Sequence, residues 1–111
     1  GALSNKRLFV RVEDALPDGL TVDAEGCVWS AMWGGARLVR YAPDGGELLR
    51  VGFPVKKVSS VAFGGTDYAE AYVTTAGGDR KQEEGAAAGA LFRLRPGVRG
   101  VPEFVSRIGL C

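Results

Sequence analysis

The sequence predicts an all-β protein, and three observations carry that prediction. Gly and Pro cut the 111-residue chain at short intervals. The apolar runs between them have the length and alternation of strands. A pattern of such runs also recurs after roughly 40 residues, the length of a four-stranded propeller blade. Many short strands separated by regular turns leave a sandwich, a barrel or a propeller as the architecture.

The elements follow in chain order. Leu8-Phe9-Val10-Arg11-Val12 reads as a leading strand. Pro17-Asp18-Gly19 reads as a turn, since Asp caps its own backbone and Gly accepts positive φ. Leu20 to Asp23 alternates as the next strand. A second turn, Asp23 to Gly26, precedes an apolar and aromatic strand from Cys27 to Trp33. Arg37 to Tyr41 follows, with Pro43-Asp44-Gly45-Gly46 as a tight turn before the alternating run Glu47 to Phe53. Val58 to Phe63, Ala69 to Thr75, Ala90 to Leu94 and a weaker Phe104 to Ile108 complete the set. Arg80 to Ala88 lacks an apolar face and reads as a mobile loop.

Three alignments support the repeat. Gly19-Leu20-Thr21-Val22-Asp23 matches Ser60-Val61-Ala62-Phe63-Gly64, and Val28-Trp29-Ser30-Ala31 matches Tyr72-Val73-Thr74-Thr75. Leu38 to Pro43 matches Leu91 to Pro96. Ser59 thus falls where Asp18 falls. The domain reading is a single partial propeller, with one blade over 16–57, a second over 58–108 and a leading strand over 7–13.

Composition narrows the chemistry. The chain has no His, which excludes Ser-His-Asp and Cys-His catalysis and His-based zinc sites within it. Fourteen basic and thirteen acidic residues give a net charge of +1, so nothing points to nucleic acid or an anionic membrane as partner. Cys27 and Cys111 form no ligand or redox motif and fit a reducing, cytoplasmic setting. No run reaches the ~20 apolar residues of a membrane span, and no signal peptide is expected.

Several residues invite and fail a functional reading. Asp23 and Glu25 are expected in a turn on the solvent side, with a structural role. Gly34-Gly35 lacks the helix and Lys of a phosphate loop. Ser59 and Ser60 have no base to make either a nucleophile. Trp29, Phe63 and Tyr72 read as packing between blades, whereas Trp33, just before a turn, could line a pocket mouth. Arg37, Arg40, Arg93 and Arg95 read as solvated outer positions.

Pro17 to Gly26, then Trp33-Gly34-Gly35 with Arg37 to Tyr41, resemble the outer blades of the senescence marker protein/gluconolactonase/regucalcin family. Phe53-Pro54-Val55, Val58 to Gly65, Ala71 to Ala76 and Gly89 to Arg93 continue the likeness in order. The resemblance implies the last third of a six-bladed β-propeller, and metal-dependent hydrolysis of a sugar-type lactone. It implies that Asp18 is a ligand of a divalent ion, calcium or zinc, or orients the attacking water. Ser59, Ser60 and Trp33 would line the channel. The family's other ligands and its sugar-gripping residues have no counterpart in this chain, so one carboxylate faces an ion that needs several donors.

About two blades cannot close a ring. The expected solutions are a piece of a longer lactonase, a self-assembled trimer with C3 symmetry, or a compact dimer. The alternative to an enzyme is a binding or assembly module that keeps the scaffold and has lost the active site.

Overall fold

A computed structural model describes residues 9–77, 83 and 85–102. Two antiparallel sheets pack face against face. The first contains β1 (Leu16–Val22), β2 (Val28–Trp33), β3 (Arg37–Tyr41) and β4 (Glu47–Gly52), in that order across the sheet. The second contains β5 (Val58–Gly64), β6 (Glu70–Thr75) and β7 (Leu91–Leu94). The expected strand Phe104 to Ile108, Cys111 and part of the loop Arg80 to Ala88 lie outside the described residues.

Local chemistry sets the hairpins. Between β1 and β2, the amide of Gly26 donates to the Asp23 carbonyl (3.0 Å) and that of Asp23 to the Cys27 carbonyl (2.9 Å). Gly26 has φ +82°, a region open to glycine at little cost. Between β3 and β4, the Gly45 amide donates to the Ala42 carbonyl, and Asp44 accepts from the Gly46 amide at 2.9 Å.

The β2 strand is buried along almost its whole length because its sheet is covered on both faces. Toward the second sheet, Trp29, Ala31 and Leu38 pack with Val58, Val61, Ala71 and Val73. Trp29 meets Phe63 edge-on at 5.9 Å, and Phe53 meets Phe92 at 5.2 Å. On the other face, Met32, Val39 and Tyr41 are covered by Val10, Val12 and Ala15. Fully burying side chains of this size stabilises by about 1.5–3 kcal/mol each.

Two expectations are corrected here, and one element was not foreseen. Pro17-Asp18-Gly19 is not a turn ahead of a strand: β1 begins at Leu16, and the register shifts between Pro17 and Leu20. An extra residue in the ladder makes a bulge, which the alternation of Leu20 to Asp23 could not reveal. Residues 9–12, expected in a strand, form none, because their apolar side chains cover the face of β2 and β3 instead of entering a ladder. A 3-10 turn at Thr66–Tyr68, with Asp67 and Tyr68 at positive φ, had no clear sequence signal.

Candidate functional site

The two sheets come closest where β1 approaches β5. A Cβ placed on Gly19 would lie 2.8 Å from the Ser60 Cα, so the approach requires glycine there. Both strands bulge at the same place: β5 shifts register between Val58 and Ser60, leaving Ser59 as the extra residue. The repeat that pairs Asp18 with Ser59 is therefore visible as two bulges at the start of two neighbouring strands. Bulges re-aim side chains and often lie beside binding sites.

Asp18 is exposed at this bulge. With Leu16, Pro17 and Trp33 it lines an open depression of about 330 Å3. The cross-strand pair Leu16 and Trp33 brings the two walls together. Trp33 also bridges to Lys57, just before β5, and the Lys57 ammonium stands 5.4 Å from the centre of the Trp33 ring. Lys57 carried no sequence signal, since a lysine before a strand is ordinary.

The serines do not line that depression. Ser59 is tied to Thr74, Oγ to Oγ1 at 2.8 Å, and Ser60 backs onto Gly19. The structure thus brings Asp18 and Trp33 together and sets Ser59 and Ser60 beside them on the next strand.

Asp23 departs from its expected solvent position. It is 1% exposed and accepts four hydrogen bonds. Oδ1 receives the Glu25 and Cys27 amides, and Oδ2 receives Trp29 Nε1 (2.8 Å) and Arg40 Nε (2.9 Å). Burial pushes this carboxyl up, but the hydrogen bonds from Arg40, Trp29 and the two amides outweigh it and hold it below its ordinary value. The backbone beside it bonds the segment after β7: the Ala24 amide donates to the Arg99 carbonyl at 2.7 Å. The structural role expected of Asp23 holds, but as a buried junction.

Two arginines are corrected with it. Arg37 is buried and pairs with Asp14 at 2.7 Å, while Arg40 is half-buried on Asp23. Both face side chains that only folding brings near. Arg93 and Arg95 are exposed, as expected, and both approach Glu70.

Among the described residues no three Asp, Glu or Cys side chains converge on a point where a metal ion could sit. Calcium takes six to eight oxygen donors, and a structural zinc four ligands. Asp18 alone does not fit such an ion. No described helix is long and apolar enough to cross a membrane.

Residues 1–77 match the SMP-30/Gluconolactonase/LRE-like region. Pentonolactonase XacC of Haloferax volcanii is 49% identical over 119 residues, covering 99% of this chain and 41% of that protein. The regucalcin of Gallus gallus is 36% identical over 111 residues, covering 94% of this chain and 37% of that protein. The chain thus spans about two fifths of the length of these relatives. A solved calcium-binding protein, regucalcin, from Agrobacterium tumefaciens superposes with a TM-score of 0.71 at 33% identity. That superposition covers 80% of this chain and 31% of the other. A luciferin-regenerating enzyme superposes with a TM-score of 0.66 at 35% identity, over 77% of this chain and 30% of the other.

Proposed function

Since the chain belongs to the SMP-30/gluconolactonase/LRE-like family, we propose that it is a section of a lactone-hydrolysing propeller to which it contributes the Asp18 carboxylate. Water adds to the acyl carbon, the ring C–O bond breaks, and a hydroxy acid is released. Asp18 orients that water. The observation that carries this reading is an exposed carboxylate at a strand bulge, opening into a depression with an aromatic wall.

The remaining blades come from further chain or from further copies of this one. Exposed Leu20 and Val22 on β1 favour such completion, being 62% and 43% accessible along one inner strand. Apolar rows of this kind are normally covered. A divalent cation, such as the calcium of the Agrobacterium relative, would draw its other donors from those blades. Free, buried Cys27 is in keeping with a reducing cytoplasm.

The test is hydrolysis of a pentono-1,4-lactone by the assembled protein, with and without calcium or zinc, alongside Asp18→Asn. The expected result is loss of about 100-fold or more in kcat with unchanged stability, as for removal of a positioned group that acts on the attacking water. Full activity in the variant would remove Asp18 from the reaction. A stable wild-type assembly that hydrolyses no lactone would favour the non-catalytic module.

A further inference from the structure

We infer that Trp33 is the platform on which the ring of the lactone lies, and so a residue that sets how tightly the substrate is held. This rests on the lactonase reading above. Four observations support it. Trp33 lines the same depression as Asp18, so an aromatic side chain and a carboxylate border the space one ligand would fill. The volume, about 330 Å3, lies at the small end of the ~300–1,000 Å3 usual for small-molecule sites. Leu16 and Pro17 complete an otherwise apolar wall. Trp33 is also held: its backbone bridges to Lys57 and the Lys57 ammonium sits over its ring.

An indole face carries negative potential, which attracts the Lys57 cation and, equally, the slightly positive C–H groups of a sugar ring. Lys57 stands over the indole ring without lining the depression, and so steadies the ring against the ligand. A ring lying on Trp33 can present its hydroxyls outward and its carbonyl toward Asp18. A flat hydroxylated ring matches this surface; a flexible chain does not, because stacking it would cost rotational freedom.

The chain has two tryptophans, and the other, Trp29, is fully buried. Trp33 fluorescence therefore reports on the depression. In the assembled protein, a pentono-1,4-lactone should change tryptophan emission saturably, at a concentration close to its KM. Trp33→Leu should abolish that response and raise KM about three- to tenfold with kcat nearly unchanged, the range expected for loss of one aromatic contact. Trp33→Phe should restore KM to within about threefold, since a π face is retained. Equal KM values for Trp33→Leu and wild type would overturn the platform while leaving the lactonase reading intact. An emission change in wild type that does not saturate near KM would do the same. Absence of any lactone hydrolysis by wild type would overturn both.

Discussion

Replacing Asp23 with Ala should destabilise this fold more than any other single carboxylate change, and the structure gives the size. The side chain is fully buried and accepts four hydrogen bonds. Its removal leaves Trp29 Nε1, in a fully buried residue, without an acceptor. It also leaves the half-buried Arg40 with only exposed Glu25, 3.5 Å away. Breaking a buried pair by removing one partner costs about 3–5 kcal/mol. Asp23→Asn keeps the shape and one acceptor oxygen, so about 1–3 kcal/mol is expected for the donors left unsatisfied. Against a total stability of about 5–15 kcal/mol, the Ala variant would lie near the threshold of folding. Urea unfolding followed by the fluorescence of buried Trp29 measures both. A loss below about 1 kcal/mol for Asp23→Ala would refute the role of this carboxylate as a junction, because that is the scale of an ordinary surface change.

The same group sets an acid limit. Its folded-state pKa lies below the ordinary value of 3.8, so the unfolded chain binds the proton more readily. The stabilisation is complete above that value and is lost as pH falls from 3.8 through the folded pKa. Asp23→Asn should flatten this part of the stability profile. An unchanged acid slope in the variant would assign it to other carboxylates.

The other predictions concern the contacts around β1. Gly19→Ala should cost about 1–3 kcal/mol through overpacking, since its Cβ would meet the Ser60 backbone. Thermal melting reads this, and an unchanged Tm would mean that β1 and β5 separate freely. Asp14→Asn removes the charge paired with buried Arg37 at 2.7 Å and should loosen segment 9–15 from the face of β2 and β3. Faster amide exchange at Met32 and Val39 would show it, and unchanged exchange would mean that Val10, Val12 and Ala15 hold the segment by packing alone.

Much of the fold was legible because alternation and turn chemistry are local. The cores of six strands from Val28 to Leu94 lie within their expected runs, differing by a residue or so at the ends. The Asp23–Gly26 and Pro43–Gly46 turns follow from residues adjacent in sequence. The bulge at Pro17 to Leu20 was not legible, since Pro-Asp-Gly is equally good chemistry for a free turn. At the site, Asp18 and Trp33 stood out as residues, but their meeting depends on the cross-strand pairing of Leu16 with Trp33. Lys57 became visible only once the segment just before β5 bridged back to that strand.

The sequence by itself determined the strand class, the blade-length repeat, the family likeness and the absence of His chemistry, because each depends on residue type and short spacing. Tertiary structure alone decided which polar residues are buried. Asp23 and Arg37 look like surface charges in the sequence, and each is drawn inside by a partner brought to it by folding, Arg40 and Trp29 for one and Asp14 for the other. A buried charge is tolerated only when paired, and pairing across 6, 17 or 23 residues is a property of the packed sheets.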